Sequence, residues 1–152
     1  MSLRPAPPES PPRPARPCIA DKWIEQLFEA AARTGAAILA APVADTLKRV
    51  DGRKQITATV DRESLWTAQT PQVFRRELLI EAYAKRGKDA ATDDAQLVER
   101  LGHAVTVVPC PAMNLKITTR DDLKLAEQVL KVLPKPKLEG FNHPFSADDL
   151  FR

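Results

Sequence analysis

The sequence predicts an α/β protein in which helices alternate with strands around a mostly parallel sheet, with one projecting β-hairpin arm. Three observations carry this prediction. Stretches with apolar residues at helical spacing alternate along the chain with short apolar runs of strand length. A continuous apolar run, AAILAAPV at residues 36–43, is typical of a buried parallel strand. The pair Asp51-Gly52, a strong hairpin turn signal, separates two short segments of strand character.

The 152 residues suffice for one domain with one core. Seven of the 14 prolines fall in residues 1–17, so this part is predicted to be a disordered, Pro-rich leader. The folded domain is predicted over residues 18–133, with the arm at about residues 44–62. The Lys- and Pro-rich residues 134–152 form a tail whose role the sequence does not indicate.

The first helix is predicted to run from an N-cap at Asp21 to about Thr34, with Gly35 as its stop. Its predicted inner face consists of Ile24, Leu27, Phe28 and Ala31. After the apolar strand, residues 48–50 and 56–60 are predicted to form the arm. Because both sides of its turn are polar, the arm is expected to project and to pair with a second copy of the chain.

The segment LWTAQTPQVFRRELL, residues 65–79, contains polar and rigid residues between two hydrophobic elements. Since Pro71 cannot donate a ladder hydrogen bond, we predict a loop here that faces a substrate. A helix over residues 75–86 follows. Its inward residues are predicted to be Leu78, Leu79, Ala82 and Tyr83.

A further helix is predicted from an N-cap at Thr92 to a stop at Gly102. The segments AVTVVP and NLKIT are predicted strands. In the final helix, Thr119 with Asp122 resembles a capping box. Its predicted inner face consists of Leu123, Ala126, Leu130 and Leu133.

Composition disfavours several classes of protein. Residues 1–17 carry a net charge of +2 and the rest of the chain only +1, and 5% of residues are aromatic, which disfavours nucleic-acid binding. The longest apolar run is too short to cross a bilayer, and the first residues lack the apolar core of a secretory signal, so a cytoplasmic protein is expected. Cys18 and Cys110 are predicted to be buried or half-buried free thiols.

Three polar segments, DTLKR, AQTPQ and NLK, are predicted at strand ends, where α/β sheets bind ligands. In and near them, Arg62 and Lys116 offer cations while Thr46 and Thr70 offer hydroxyl groups. This set suits a phosphorylated small molecule and a phosphoryl transition state. Structural explanations stay open: a solvated lysine, a surface ion pair for Arg62 and a simple turn at Thr70. The two histidines, His103 and His143, are predicted to be non-catalytic.

Five motifs together resemble the 2-C-methyl-D-erythritol 4-phosphate cytidylyltransferase family over roughly residues 15–132. In family order they are ARPC, AAILAAPVADTLKRV, TVDRESLWTAQTPQVFRRELL, ATDDA and NLKITTRDDLKLAE. The resemblance implies a doubly wound, Rossmann-like nucleotidyltransferase domain whose β-arm builds a homodimer. It also implies transfer of a cytidylyl group from CTP to 2-C-methyl-D-erythritol 4-phosphate with a divalent metal, magnesium, and release of pyrophosphate.

The resemblance assigns roles to five residues. Arg16 and Lys116 would contact the methylerythritol phosphate, and Lys116 would also offset charge as the α-phosphate of CTP is attacked. Thr46 and Arg62 would reach the substrate of the partner subunit, and Thr70 would line the same substrate cavity.

The sequence departs from the family pattern at its start. Only the Pro-rich residues precede the ARP motif, Arg13 stands where the family has its metal-binding Asp, and the five glycines form no phosphate-binding cluster. The chain is therefore expected to be the C-terminal, substrate-side portion of such an enzyme, weakly active or inactive alone. The alternative is a catalytically inactive dimerisation or interaction remnant of the family.

Overall fold

The computed structural model describes residues 16–88 and 90–134, so nearly all of the predicted leader and the tail from residue 135 lie outside the described residues. The elements, in chain order, are α1 (Asp21–Thr34), β1 (Ala36–Pro42), β2 (Leu47–Val50), β3 (Ile56–Val60), β4 (Trp66–Phe74), α2 (Arg76–Ala84), α3 (Asp94–Arg100), β5 (Thr106–Pro109) and α4 (Arg120–Val132). No helix among these residues is both long and apolar enough to span a membrane.

The described sheet has the strand order β4-β1-β5 and is mixed, which corrects the mostly parallel arrangement predicted from the sequence. Strand β1 pairs in parallel with β5 and antiparallel with β4. The arm between β1 and β4 reverses the chain, and a strand that returns through a hairpin lies antiparallel to the strand that entered it.

Strand β1 is the centre of the molecule because neighbours cover both of its edges and both of its faces. Its first six residues are all buried. Successive side chains of a strand point to opposite faces. Accordingly, Leu39 packs in one core cluster with Leu27 of α1, whereas Ala36 packs in another with Val98 of α3. Helices therefore cover both faces of the sheet, as in the predicted α/β class.

Helix α1 begins at Asp21, and its N-cap is Ala20 rather than the predicted Asp21. An acidic residue in the first turn is still favourable there, because it faces the positive end of the helix dipole. Gly35 has φ 89° and ends the helix in the left-handed conformation, as predicted. The buried face consists of Trp23, Leu27, Ala30 and Ala31. Phe28, predicted to lie inside, is 57% exposed.

The substrate loop predicted before the helix at residues 75–86 is instead part of strand β4, whereas the helix itself is present as α2. Ile38 of β1 pairs with Gln72, and the next residue, Leu39, pairs with Gln69. Thr70 and Pro71 therefore form a two-residue bulge, which lets the strand accommodate a proline without losing a ladder bond. The bulge within the sheet, and not a loop at a strand end, therefore accounts for the polar and rigid residues of the segment AQTPQ.

Three local assignments also differ from the sequence prediction. Asp93, not Thr92, caps α3, because its carboxylate accepts a hydrogen bond from the Gln96 amide. The segment NLKIT forms a turn and one isolated bridge at Ile117 instead of a strand. In α2, Tyr83 is exposed, and its hydroxyl donates to Asp94 Oδ1 at 2.6 Å instead of entering the core. That bond and the Asp94 charge raise the pKa of Tyr83.

Helix α4 keeps its predicted capping box but buries little of its predicted face. The Thr119 hydroxyl accepts from the Asp122 amide, and the Asp122 carboxylate accepts from the Thr119 amide. Hydrogen bonds from Thr118 and Thr119 lower the pKa of Asp122 to about 2. Ala126 is buried, whereas Leu123 and Leu130 are exposed.

The arm is a separate two-stranded sheet of β2 and β3, as predicted. The turn is longer than a two-residue Asp-Gly turn: the Asp51 carboxylate accepts from the amides of Arg53 and Gln55, and Lys54 rather than Gly52 has positive φ. Only Leu47 and Val60, at the base, are partly buried. The arm thus extends away from the described core.

Candidate functional site

An open cavity of about 390 Å³ lies beside the bulge of β4. It brings together three of the five residues singled out from the sequence, Arg16, Thr70 and Lys116, which come from widely separated parts of the chain. The other lining residues are Ala68, Gln69, Gln72, Thr92 and Asp93. Two cations, two hydroxyl groups, two side-chain amides and one carboxylate thus surround one space, and the cations and hydroxyl groups suit a phosphorylated ligand with hydroxyl groups.

Arg16 precedes α1 and is partly buried, so its guanidinium group is fixed at the cavity wall. Its Nη1 donates to the backbone carbonyl of Asn114. Burial lowers the pKa of Arg16, and the nearby Cys110 opposes that shift. A guanidinium that is held through one nitrogen keeps its other donors for an anion.

Thr70 enters the cavity because it lies in the two-residue bulge of β4, where the strand leaves its ladder. Its backbone carbonyl accepts from Asn114 Nδ2 at 3.0 Å, which anchors the bulge from behind. The residue itself is exposed. The sheet therefore holds the backbone while the threonine side chain can meet a ligand.

Lys116 follows the turn at residues 112–114 and is exposed. Its ammonium group makes no hydrogen bond or ion pair with another residue that the structure describes. A lysine of this kind is a mobile point charge that can neutralise a phosphate.

Gln72, Thr92 and Asp93 line the cavity but were not selected from the sequence as site residues. Gln72 Nε2 donates to Asp93 Oδ2 at 2.8 Å, and Gln72 Oε1 accepts from the Ala95 amide at 3.2 Å. The side-chain amide of Gln72 thus joins β4 to the start of α3. The ATDDA motif was the available signal, because a polar run at the start of a helix is a common place for groups that meet an anion.

The described residues do not fit a resident metal ion. Among them there is no cluster of three or more His, Cys, Asp or Glu side chains. The carboxylate at the cavity, Asp93, accepts from Gln96 with one oxygen and from Gln72 with the other. Arg13, which the resemblance places where a metal-binding Asp is expected, lies outside the described residues.

Thr46 and Arg62 do not line the cavity; they lie where the arm joins the core. Thr46 directly precedes β2 and is exposed. Arg62 Nη1 donates to the backbone carbonyl of Ala44, which ties the two sides of the arm's base together. His103 is not part of the cavity, and His143 lies outside the described residues.

The architecture belongs to the class of α/β nucleotidyltransferase domains, as solved structures with the same fold indicate. The 2-C-methyl-D-erythritol 4-phosphate cytidylyltransferase of Thermus thermophilus superimposes with a TM-score of 0.70 at 43% identity, covering 78% of this chain and 59% of that one. The enzyme of the same name from Francisella tularensis gives 0.68 at 36% identity, covering 76% and 56%.

The chain belongs to the 2-C-methyl-D-erythritol 4-phosphate cytidylyltransferase family, whose model matches residues 13–132. The relative from Syntrophus aciditrophicus is 51% identical over 118 residues, which cover 76% of this chain and 50% of that protein. The relative from Bacillus licheniformis is 50% identical over 120 residues, 77% of this chain and 51% of that protein. The chain thus spans about half the length of these curated relatives.

Proposed function

We propose that the chain serves the transfer of a cytidylyl group from CTP to 2-C-methyl-D-erythritol 4-phosphate in non-mevalonate isoprenoid biosynthesis, as its substrate-side and dimerisation part. The observation that carries the proposal is the convergence of Arg16, Thr70 and Lys116 on one cavity. Membership of the family is the basis for the reaction that we propose. The cavity contributes the cations and hydroxyl groups that a phosphorylated substrate requires.

In this reaction an oxygen of the methylerythritol phosphate attacks the α-phosphorus of CTP. The bond from that phosphorus to the bridging oxygen of the β-phosphate breaks, and pyrophosphate leaves. In this proposal Arg16 and Lys116 hold the substrate phosphate, and Thr70 forms a hydrogen bond with the substrate. Lys116 also neutralises charge that builds up on the α-phosphate.

The same proposal includes a homodimer formed through the arm, in the cytoplasm. Its support is the exposure of β2 and β3, whose outer edges are unpaired in the described chain. Thr46 and Arg62 lie outside the chain's own cavity, which agrees with a role at the partner's cavity. The family's divalent metal, magnesium, is proposed to arrive with the phosphates of CTP, since Mg²⁺ is commonly held by substrate phosphates.

The test is binding of 2-C-methyl-D-erythritol 4-phosphate by isothermal titration calorimetry, together with pyrophosphate release in the presence of CTP and magnesium. Lys116→Ala and Arg16→Ala are each expected to weaken binding about 10- to 100-fold, the usual cost of losing a hydrogen bond to a charged group. Lys124→Ala is the matched control, because among the described residues Lys124 pairs with Asp121 alone, on the exposed side of α4.

Binding that is lost in the cavity variants and kept in the control supports the proposal. We expect the isolated chain to release pyrophosphate slowly, if at all. A chain that folds and dimerises but binds neither substrate would instead identify the inactive dimerisation remnant, the second function that the exposed arm favours.

A further inference from the structure

We propose that Asn114 is a positioning residue for the substrate cavity: it sets the relative placement of Arg16 and Thr70, although it does not line the cavity itself. The inference rests on the function proposed above, because it assigns the cavity to substrate binding. Asn114 is fully buried and lies behind the cavity wall.

Asn114 contacts two of the segments that build the cavity. Its Nδ2 donates to Gln69 Oε1 at 2.8 Å and to the Thr70 carbonyl at 3.0 Å. Its backbone carbonyl accepts from the Arg16 guanidinium. One residue therefore joins the strand bulge, 44 positions earlier in the chain, to the segment before α1, 98 positions earlier.

The turn that carries Asn114 also carries Lys116, two residues further along. The Asn114 amide donates to the Pro111 carbonyl at 3.1 Å, which closes this turn. A displacement of Asn114 would therefore move Arg16, Thr70 and Lys116 relative to one another. Since a phosphate is recognised by converging donors, such a displacement weakens binding without removing any of the groups that touch the ligand.

The buried amide is not explained by packing. Asn114 Oδ1 is buried and has no hydrogen-bond partner among the described residues. Leaving a buried polar atom unpaired costs stability, and an apolar side chain of similar size would avoid that cost. What an apolar side chain could not supply is the pair of donors that hold Gln69 and Thr70.

The experiment compares the wild-type chain with Asn114→Leu, which keeps the approximate size of the side chain, and with Asn114→Ala. The control is Thr34→Val, which removes the hydroxyl of an exposed residue that donates to the backbone carbonyls of Ala30 and Ala36 and lies outside the cavity wall. The dissociation constant for 2-C-methyl-D-erythritol 4-phosphate is measured by calorimetry below the melting temperature of every variant. A second readout, independent of ligand, is hydrogen exchange of the Arg16 guanidinium followed by NMR.

We expect both Asn114 variants to bind the substrate at least about 10-fold more weakly than the wild type and to show faster exchange at Arg16. The control is expected to lose thermal stability and keep wild-type affinity. Wild-type affinity in both Asn114 variants would overturn the inference while leaving the proposed function intact. If the wild type itself does not bind, the proposed function fails, and unchanged Arg16 exchange in the variants would then overturn the positioning role as well.

Discussion

At the scale of single residues, the cavity depends on side chains that a ligand does not meet. Cys110, at the end of β5, is 3% exposed and lies close to both Arg16 and Asn114. Burial raises the pKa of the Cys110 thiol to about 11, against the opposing effects of the Asn114 hydrogen bond and the Arg16 charge. Cys110 therefore stays a neutral thiol at the pH of a cell and leaves the Arg16 cation free for an anion.

This thiol gives a pH-dependent prediction. Its pKa is about 11 when folded against an ordinary value of 9.0, so its contribution to stability is present below pH 9 and is lost as pH rises through about 11. We expect the urea midpoint of the wild type to fall over this range more than that of Cys110→Ala. At pH 8 the folded protein should react with a thiol reagent very slowly, because a thiol pKa of about 11 instead of 9.0 leaves about 100-fold less thiolate. Rapid native-state reaction that disappears in Cys110→Ala would contradict the shift.

The residues that act through charge were accessible from the sequence, whereas those that act through buried hydrogen bonds were not. Arg16 came from the family resemblance and Lys116 from its place before the last helix, and the structure puts both at one cavity. The roles of Gln72, Asp93 and Asn114 in the cavity were not predicted. The role of an amide or carboxylate depends on its hydrogen-bond partner, and here the fold brings that partner from a distant part of the sequence.

At the scale of elements, helix α1 shows that helical spacing can be predicted correctly while the residues on the buried face are predicted only in part. Trp23, Leu27, Ala30 and Ala31 are buried, and Phe28 is exposed next to Leu27. The apolar stripe of the sequence is broad enough to allow either residue at its centre. The sheet decides between them, because the small side chains Ala30 and Ala31 let α1 approach β1 closely, and a phenylalanine on that side would hold the helix away.

A pair of adjacent substitutions tests this orientation. Leu27→Ala is expected to lower the free energy of unfolding by about 2–5 kcal/mol, as for other fully buried leucines, because it leaves a cavity in the core. Phe28→Ala is expected to change it by about 0.5 kcal/mol, the range of surface substitutions. Urea unfolding followed by circular dichroism measures both values. Equal losses in the two variants would show that α1 packs with the face predicted from the sequence.

Strand β4 was the element least accessible to sequence reasoning. A Thr-Pro pair normally ends or excludes a strand, and here the chain keeps its pairing with β1 by extruding the two residues as a bulge. The proline next to Thr70 therefore correctly indicated that Thr70 departs from the hydrogen-bond ladder of a regular strand. The assignment as a loop failed because the pairing partner is remote in sequence.

At the scale of the whole molecule, the arm and the core are separate structural units. The core sheet is β4-β1-β5, and the arm sheet contains only β2 and β3 in the described chain. The amide of Val43 donates to the Leu65 carbonyl at 3.0 Å and closes the base of the arm against the core. The Asp-Gly signal and the alternating pattern predicted this unit, because a hairpin depends on neighbours in sequence.

Replacing residues 47–60 by a short Gly-Ser linker tests this separation. We expect the core to remain folded, since the Val43–Leu65 contact and the β1–β4 pairing are kept. We also expect light scattering to show a change from a dimer to a single chain, which is lighter than the 16.8 kDa of the unaltered sequence. A loss of folding would show that the core depends on the arm, and a dimer that persists would place the interface elsewhere.

The tip of the arm also offers a place for a chemical label. A Cβ added at Gly52 would meet nothing within 4 Å, and Gly52 has no positive φ that would strain a side chain. The sequence has two cysteines, both buried and both with thiol pKa values raised by burial. Gly52→Cys would therefore accept a fluorophore selectively in the folded protein, so that energy transfer between labelled copies could follow their assembly without removing a native cysteine.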